Sequence, residues 1–474
     1  MTHQKITICL CFLTVFLVNT SDRVAAQTEP ERFPNIVFIL ADDLGYGDLS
    51  CYGQKGFTTP QIDSLAGDGL KFTQHYAGST VCAPSRCALM TGFHTGHTEV
   101  RGNKSQDSGE SNFPLSPQAV TIAKILQNKG YATGCFGKWG LGAFMNSGDP
   151  LKQGFDEFFG YYDQAQAHSY YPPHLYHNGN KIELDGNTYS HDLIAAKGME
   201  FIRTNKDKPF FCYLPVTIPH AAMQVPEEYV APWRPKYDKY EDEVVKYSIA
   251  APVRNPVAAF PGMMTKLDET VGQVLDLLKE LGLEENTIIL FSSDNGPHVE
   301  GGHRSVEVFR SGGPLRGVKR DLTEGGIRVP LLVKWPARIK PGTITDHISA
   351  FWDFLPTVCE IVGEQPPAGI DGITFLPTFV GNAAAQKTHD YLYWEFHEGN
   401  GKRALRVGDW KAIQASNVKS NPNGLIELYN LKDDLGEESN LADKFPDKIE
   451  QFRELFNEVR TASPDFPFLP DENP

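Results

Sequence analysis

The feature that most restricts the fold is a repeated alternation of apolar runs with helix-like segments. Residues 35–41 form a short apolar run, typical of a strand buried on both faces of a parallel sheet. Further along, apolar residues recur at helical spacing over residues 263–281, Gly282 ends that helix, and residues 287–291 form the next apolar run. The alternation predicts a doubly wound α/β sheet, a fold that places ligands at the carboxyl ends of its strands.

Other segments extend the same pattern. Thr59 and Pro60 offer an N-cap and a first helical residue for a short helix that reaches Leu65. The further predicted elements are a helix at residues 121–129, which Gly130 ends, and strands at residues 131–136, 209–216 and 329–333. Residues 161–261 are rich in Tyr, Pro and His, and we predict that they hold long loops that shape a pocket.

The character of the chain changes after Gly381. Short strand-like runs follow at residues 391–396, 403–407, 410–413 and 426–428, which predicts an antiparallel sheet. A last amphipathic helix carries one apolar face, made of Ile449, Phe452, Leu455, Phe456 and Val459. We therefore predict a main domain at residues 27–382 and a smaller C-terminal subdomain at residues 383–474.

The amino terminus has the layout of a secretory signal peptide. Lys5 precedes an apolar run at residues 6–18, and Ala26 ends a Val-Ala-Ala sequence suited to cleavage. A membrane anchor is the rival interpretation, but the run is shorter than the ~20 residues that a spanning helix needs. We expect residues 1–26 to be removed and the protein to be exported, periplasmic or secreted, with no stable membrane span.

Composition excludes some functions. The formal net charge is −15 and no block of lysine and arginine occurs, so a nucleic-acid partner is not expected. The chain has eight cysteines, of which Cys9 and Cys11 would leave with the signal peptide. The six that remain could form three disulfides in an oxidising compartment, with the pairing left open by the sequence.

The strongest motif runs from Cys82 to Gly92 and reads Cys-Ala-Pro-Ser-Arg-Cys-Ala-Leu-Met-Thr-Gly. A lone Cys-x-Pro would indicate a buried cysteine in a tight turn. The full string resembles the signature of type I sulfatases, in which this cysteine is oxidised to formylglycine before folding. The resemblance extends over nearly the whole mature chain. It implies an alkaline-phosphatase-like sandwich, with a large, mostly parallel sheet flanked by helices, and residues 27–382 as the sulfatase catalytic domain.

The resemblance also implies the chemistry. A hydrated aldehyde has two hydroxyls on one carbon: one attacks sulfur and expels the alcohol, and deprotonation of the other releases sulfate. This covalent route divides one difficult step into two, and a plain serine or cysteine lacks the second hydroxyl. Arg86 follows Cys82 by one helical turn and can hold the developing charge.

Two polar pairs follow predicted strands. Asp42 and Asp43 come after the first strand, and Asp294 and Asn295 follow the strand at residues 287–291. Alone, such an Asp pair would indicate a turn or a helix cap. Together they form an all-oxygen set that suits a hard divalent cation and disfavours zinc. They resemble the family's calcium site, and Asp294 could also accept the nucleophile's proton.

Two lysines match the family's sulfate-binding motifs. Lys138, in Gly-Lys-Trp-Gly, resembles the lysine of a Gly-Lys-Trp-His motif, and Lys319 precedes the string Glu-Gly-Gly-Ile-Arg-Val-Pro. An ammonium group suits a tetrahedral anion. Gly140 replaces the histidine that the family usually has two residues after the first lysine. The base for sulfate elimination is therefore open among Asp294, a water and a histidine from elsewhere.

His220, in Thr-Ile-Pro-His, matches the family's Pro-His motif and is expected to protonate the departing alcohol. The alternative is a core histidine bonded to a backbone carbonyl. Further residues are candidates for binding substrate. They are Gln164, His168, His298, His303, Arg304 and His397.

Aromatic residues beside polar hydrogen-bonding groups suit a sugar ring. These stretches are most similar to bacterial carbohydrate sulfatases, including arylsulfatase A-like and N-acetylgalactosamine sulfatase-like members. They imply a polysaccharide substrate that carries sulfated galactose or N-acetylgalactosamine. The resemblance also implies a maturation partner, a formylglycine-generating or equivalent enzyme that acts on Cys82.

Two alternatives remain at this stage. A phosphatase or phosphodiesterase of the same broad fold would use Ser or Thr as nucleophile and two zinc ions with more histidines. A non-catalytic carbohydrate-binding relative would result if Cys82 were never oxidised.

Overall fold

The computed structural model describes Met1, residues 32–105 and residues 112–472. The chain divides into two units, Met1–Arg32 and Phe33–Pro474. The predicted signal peptide lies, apart from Met1, outside the described residues. Among the residues that are described, no helix has the length and apolar character to cross a membrane.

The strands are numbered along the chain. They are β1 (Asn35–Ala41), β2 (Leu70–Tyr76), β3 (Ala132–Lys138), β4 (Glu157–Tyr161), β5 (His174–His177), β6 (Asn180–Glu183), β7 (Phe210–Pro215), β8 (Val244–Val245), β9 (Val253–Arg254), β10 (Thr287–Ser293), β11 (Arg328–Lys334), β12 (Thr343–Thr345), β13 (Ser349–Ala350), β14 (Leu392–Phe396), β15 (Lys402–Val407), β16 (Trp410–Gln414) and β17 (Glu427–Asn430).

The α-helices are numbered in the same way. They are α1 (Pro60–Gly67), α2 (Cys82–Thr91), α3 (Ile122–Asn128), α4 (Ser190–Thr204), α5 (Glu227–Val230), α6 (Pro256–Glu280), α7 (Ser305–Phe309), α8 (Glu324–Ile327), α9 (Phe354–Ile361), α10 (Leu376–Phe379) and α11 (Pro446–Glu458).

Over the described ranges, the large sheet has 11 strands in the order β12-β2-β11-β10-β1-β7-β3-β4-β5-β6, with β13 also paired to β2. Strands β10, β1, β7, β3 and β4 are parallel neighbours. Strand β11 runs antiparallel to both β10 and β2, so β2 points the same way as the parallel group. The sheet is therefore mixed and mostly parallel at its centre, which confirms the predicted fold class.

The central strand shows why the sheet is covered on both sides. All seven residues of β1 are buried. Alternate side chains point to opposite faces, so Val37 and Ile39 join one apolar core while Ile36 and Phe38 join the other. Helices α1, α4 and α6 contribute to the first core, and helices α3 and α9 contribute to the second. Helices therefore cover both faces of the sheet. The sheet in turn fixes the positions of the loops at its edges.

The small sheet has the order β14-β15-β16-β17 and is antiparallel throughout. One of its faces packs against Phe452 and Phe456 of α11. The other face presents Trp394, which lies in one apolar cluster with Tyr76 at the end of β2, and its Nε1 donates to the Ala77 carbonyl at 3.0 Å. The second sheet therefore packs against the segment that connects β2 to α2 and supports it.

Most predicted elements are found, with three corrections. Helix α6 begins at Pro256 rather than near residue 263, because Asn255 caps it through Ala258 N at 3.0 Å and the helix continues through Pro261. Strand β2 and helix α2 were not predicted. Residues 161–261 hold a hairpin and the 15-residue helix α4 besides loops.

The described cysteines, Cys51, Cys82, Cys87, Cys135, Cys212 and Cys359, are all free, so none of the possible disulfides forms among them.

Candidate active site

The strand directions bring distant residues to one edge of the large sheet. The carboxyl ends of β1, β2, β3, β4, β7 and β10 lie at this edge, together with the amino end of β11. The residues gathered there, here called the central cluster, are Asp42, Asp43, Cys82, Arg86, Lys138, His220, Asp294, Asn295 and Lys319. Single ligand atoms from Asp42, Asp43, Cys82 and His220 all lie within 4.8 Å of one another.

The four oxygen-bearing residues lie at the ends of the neighbouring strands β1 and β10. Asp43 has a left-handed backbone (φ 62°), and its amide donates to Asp294 Oδ1 at 3.1 Å. The Asn295 Nδ2 donates to Asp43 Oδ1 at 2.6 Å. Asn295 Oδ1 is buried and has no hydrogen-bond partner. A buried carbonyl oxygen without a donor, next to three carboxylates, is suited to a cation.

Cys82 is the first residue of α2, and the loop after β2 carries it to the cluster. Its Sγ lies 3.6 Å from Asp42 Oδ1 and 3.4 Å from Lys138 Nζ. Burial raises the pKa of the Cys82 thiol despite the nearby charges of Lys138 and Lys319. An unmodified Cys82 would therefore be a neutral thiol, which is a weak nucleophile.

Arg86 lies one turn further along α2 and is 1% exposed. Its Nε and Nη2 donate to Asp294 Oδ2 at 3.1 and 2.7 Å, and its Nη1 donates to the Lys138 carbonyl at 2.5 Å. Burial and the neighbouring Asp42 raise the pKa of Asp294 to about 6, although Arg86 opposes the shift. The guanidinium therefore fixes Asp294 and the end of β3.

The two lysines contact different members of the Asp42–Asp43 pair. Lys138 is the last residue of β3, and its Nζ lies 2.7 Å from Asp42 Oδ2. Lys319 Nζ lies 2.9 Å from Asp43 Oδ2. Burial would raise the pKa of Asp42, but the charges of Lys138 and His220 outweigh it and hold that pKa well below its usual value. The pair of ammonium groups therefore offsets the charge of Asp42 and Asp43.

The loop that carries Lys319 is fixed by backbone hydrogen bonds. The Lys319 amide donates to the Pro297 carbonyl at 2.8 Å, and the Arg320 amide donates to the Thr80 carbonyl at 3.1 Å. Gly317 has φ 92°, and a Cβ there would lie 2.0 Å from Thr323 Oγ1. The glycine therefore permits the tight turn that points Lys319 inward.

His220 follows β7 and stands in a stack of rings. The ring of His168 lies 4.9 Å away on one side, nearly parallel, and that of His298 lies 5.2 Å away on the other. His220 Nδ1 is hydrogen-bonded to the Ala221 carbonyl, which assigns the proton to Nδ1. Its Nε2 faces Lys319 Nζ at 2.9 Å and Asp43 Oδ2 at 3.2 Å. The stack fixes the plane of the ring, and Nε2 points into the central cluster.

Two of the predicted substrate residues lie beside the cluster. His168 is partly exposed, and burial, His220 and Lys138 lower its pKa to about 2, so the ring is neutral. The Gln164 side chain is buried, and both of its amide atoms lack hydrogen-bond partners. A Cβ at Gly140 would lie 2.1 Å from Gln164 Nε2. Gln164 therefore occupies the space that a side chain at position 140 would need.

His298 and His303 are hydrogen-bonded to the loop backbone and to each other. His298 Nε2 donates to the Pro219 carbonyl at 3.2 Å, and its Nδ1 accepts from His303 Nε2 at 3.2 Å. His303 Nδ1 accepts from the Ser305 amide at 3.2 Å. Because both rings are buried and all four ring nitrogens have protein partners, neither residue offers a nitrogen to a substrate.

The last two predicted substrate residues have partners of their own. Arg304 is 63% exposed and lies 3.8 Å from Glu243. His397 is buried, its Nε2 lies 2.8 Å from Glu395 Oε2, and its ring packs on Phe468 at 4.5 Å. His397 therefore belongs to a polar network beside the small sheet.

Sequence reasoning missed two residues near the site, Asn103 and Tyr247. Asn103 Oδ1 accepts from the Ala83 amide at 3.0 Å, so it caps the start of α2 beside Cys82. The Tyr247 ring lies 4.8 Å from that of His168. Glu300 contacts both Lys319 and His220 at 3.2 to 3.3 Å. Its place shortly after Asp294 in the sequence made Glu300 a candidate to line the pocket, whereas nothing in the sequence around Tyr247 or Asn103 indicated their positions.

Comparisons with known proteins agree on one family. The family model described as "Sulfatase" matches residues 34–364, and "N-sulphoglucosamine sulphohydrolase, C-terminal" matches residues 318–462. Arylsulfatase A of Homo sapiens is 32% identical over 427 residues, covering 82% of this chain and 76% of that protein. N-acetylgalactosamine-6-O-sulfatase of Bacteroides thetaiotaomicron is 28% identical, covering 90% and 93%. The solved structure of Ps i-CgsB with k-i-k-neocarrahexaose has a TM-score of 0.76 at 27% identity, covering 90% and 93%.

Proposed function

The chain belongs to the sulfatase family and hydrolyses sulfuric esters, and we propose that it does so with formylglycine made from Cys82, beside a calcium ion, on a sulfated galactose or N-acetylgalactosamine unit. The observation that carries the proposal is the position of Cys82 Sγ, 3.6 Å from Asp42 Oδ1 and 3.4 Å from Lys138 Nζ. The reactive atom of residue 82 would thus lie beside both a metal ligand and a sulfate-binding ammonium group.

The residues fit a calcium ion. Asp42, Asp43, Asp294 and Asn295 offer oxygen only, which suits a hard cation better than zinc. The unpartnered Asn295 Oδ1 supports this assignment because the amide oxygen has no other ligand in the protein. When bound, the ion supplies positive charge that orients an oxygen of residue 82 and offsets the charge of the sulfate.

The modified side chain would supply one carbon with two hydroxyls, one to attack sulfur and one to release it. Lys138 and Lys319 would bind the sulfate oxygens, since both ammonium groups belong to the central cluster and are buried. Arg86 would hold Asp294 ionised for the metal and for the nucleophile's proton.

His220 would protonate the leaving oxygen. Its Nδ1 proton is held by the Ala221 carbonyl, so Nε2 is the atom left to face the reacting groups. This arrangement combines both interpretations of His220 that the sequence left open, because the ring is bonded to a backbone carbonyl and still points Nε2 into the cluster. A proton delivered there matters most for sugar alcohols, which are poor leaving groups.

Gln164 and His168 are the residues that we propose for contact with the sugar. Gln164 has an amide with no protein partner, and His168 presents a neutral, partly exposed ring with an unpartnered Nδ1. Neutral hydrogen-bonding groups beside the aromatic ring of Tyr247 suit a sugar ring. The named substrate of the B. thetaiotaomicron relative supports a galactosamine sulfate as the first compound to test.

The proposal includes export and maturation. The signal-like segment at residues 1–26 supports an exported, periplasmic or secreted protein. Conversion of Cys82 requires a formylglycine-generating or equivalent enzyme in the producing cell. Because Cys82 is buried in the folded chain, that conversion would precede folding.

A sulfate-release screen on defined sulfated mono- and oligosaccharides tests the proposal. We expect the wild-type protein to release sulfate from a galactose or N-acetylgalactosamine sulfate and Cys82→Ala to release none. Cys87→Ala is the matched control, since Cys87 lies buried in the same helix and outside the central cluster. Equal turnover by Cys82→Ala and Cys87→Ala would refute the nucleophile assignment.

A further inference from the structure

One carboxylate in the site is assigned no role by the proposed chemistry. Glu300 lies in the loop after β10, and its side chain is 8% exposed. Its Oε2 lies 3.2 Å from His220 Nε2 and 3.3 Å from Lys319 Nζ. Its Oε1 accepts from Arg320 Nη1. A nearly buried carboxylate with three cationic partners is stabilised as an anion, and burial alone would raise its pKa, but these partners hold that pKa well below its usual value.

The surroundings of Glu300 restrict where it can point. The Glu300 amide donates to His298 Nδ1 at 3.3 Å, and His303 supports the same nitrogen. Arg320, which donates to the Glu300 carboxylate, also donates from its Nε to Glu398 Oε2 at 3.1 Å. Glu398 lies in the loop between β14 and β15, so this hydrogen bond connects Arg320 to the small sheet. Glu300 is thus fixed at its backbone by the histidine pair and at its carboxylate by Arg320.

We propose that Glu300 is the positioning residue that fixes the Nε2 edge of His220, and that Arg320 and Glu398 tie this arrangement to the small sheet. This inference rests on the proposed function, because it assigns Glu300 an effect on His220 as proton donor. The stack of His168 and His298 fixes the plane of the His220 ring but not rotation within that plane. The contacts to the Ala221 carbonyl at one edge and to Glu300 at the other fix that rotation.

Asp43 is the other carboxylate beside His220. The His220 Nε2 and the Lys319 Nζ are 2.9 Å apart. Asp43 and Glu300 both lie between 2.9 and 3.3 Å from these two atoms. When Asp43 is engaged by a metal ion, Glu300 is the carboxylate that still contacts the Nε2 edge of His220. Without Glu300, we expect that edge to lose its fixed position.

The test compares two sulfate esters with different leaving groups. A nitrophenolate leaves without a proton, whereas a sugar alkoxide needs one, so a fault in proton delivery shows only with the sugar. The probes are 4-nitrophenyl sulfate and the sugar sulfate that the wild-type protein hydrolyses fastest among N-acetylgalactosamine 6-sulfate, galactose 6-sulfate and their 4-sulfates. The full mature chain is used, with residue 82 converted by the producing host.

For Glu300→Gln, we expect kcat on the sugar sulfate to fall about 10- to 100-fold, with KM and the rate on 4-nitrophenyl sulfate changed by less than about threefold. Arg320→Gln, which leaves Glu300 in place, should give the same selective pattern at about 3- to 10-fold. Glu280→Gln is the matched control, because it removes a carboxylate paired to Arg203 at 2.8 Å on the surface, and it should change neither rate.

The outcomes separate the two proposals. An equal loss on both esters would mean that Glu300 supports the fold or binds sulfate, and an unchanged sugar rate would mean that it positions nothing; either result would overturn the inference. A wild-type protein that releases sulfate from none of the sugar esters would instead refute the proposed substrate, and with it the role given to Glu300.

Discussion

Gln164 lies directly over Gly140, where a Cβ would come within 2.1 Å of Gln164 Nε2. Gly140 also has φ 78°, a backbone conformation that residues with side chains avoid. The two residues are joined through neighbouring strand ends, since the Gly140 amide donates to the Tyr162 carbonyl at 3.2 Å. The two residues therefore depend on each other, because Gln164 fills the space that a side chain at position 140 would occupy.

We expect Gly140→Ala to lower the free energy of unfolding by about 1–2 kcal/mol through its left-handed backbone, and to displace Gln164 as well. Adding Gln164→Ala should relieve the displacement but not the backbone strain. Urea unfolding of the two single variants and the double variant measures the coupling. Additive effects in this cycle would show that the two side-chain positions are independent.

The metal prediction concerns the acids at the ends of β1 and β10. We expect metal analysis of the purified protein to find one calcium ion per chain, and EGTA to abolish sulfate release until calcium is returned. Magnesium should restore activity less well, because it demands a stricter octahedral geometry. Two zinc ions per chain would contradict this account and favour the phosphatase alternative.

Lys138 is predicted to matter for both stability and rate. Lys138→Met leaves Asp42 without its 2.7 Å partner, so the metal-free protein should lose about 3–5 kcal/mol of stability. With calcium present, kcat for sulfate release should fall at least about 100-fold, because one sulfate contact is lost.

Lys197→Met is the control for Lys138→Met. It removes an exposed pair with Glu200 at 2.6 Å and should change stability by less than about 0.5 kcal/mol. If the two variants had equal kcat, Lys138 would not contact the sulfate.

Asp48 gives a prediction about pH. Burial raises the pKa of its carboxyl from 3.8 to about 7, although the hydrogen bond from the Gly45 amide opposes the shift. Because the folded pKa is the higher one, the folded state binds more protons between about pH 4 and pH 7, and stability falls as pH rises through that window.

The pKa of Asp48 is raised by about three units, so its contribution to the stability change is at most about 4 kcal/mol. Asp48→Asn cannot ionise, so we expect it to gain stability relative to the wild type as pH rises from 4 to 8. Urea unfolding at both pH values measures this difference. If the free energies of unfolding of Asp48→Asn and the wild type differed by the same amount at pH 4 and at pH 8, Asp48 would not cause the pH dependence.

The sequence predicted the central cluster better than its surroundings. Asp42 and Asp294 could be placed together because each ends an apolar run, and parallel neighbours bring such ends to one edge. Lys138 and Lys319 were found by motif, and the structure brings both to the same acids. These assignments depended on local strings and on one rule of topology.

The residues around the cluster depended on tertiary contacts that no local string encodes. His298 and His303 looked like substrate ligands, yet their ring nitrogens are used by loop backbone and by each other. Helix α2 was not predicted because all ten of its residues are buried, so it has no polar face to reveal a helical period. Strand β2 mixes polar with apolar residues because part of it faces solvent.

The central claim is that residue 82 is a formylglycine held against the acids and the two ammonium groups. Mass spectrometry of the peptide that carries residue 82, taken from protein with measured sulfatase activity, tests it most directly. We predict a mass about 18 Da below that of the cysteine peptide, in a fraction that tracks the activity. A fully active protein with intact cysteine at position 82 would contradict the account.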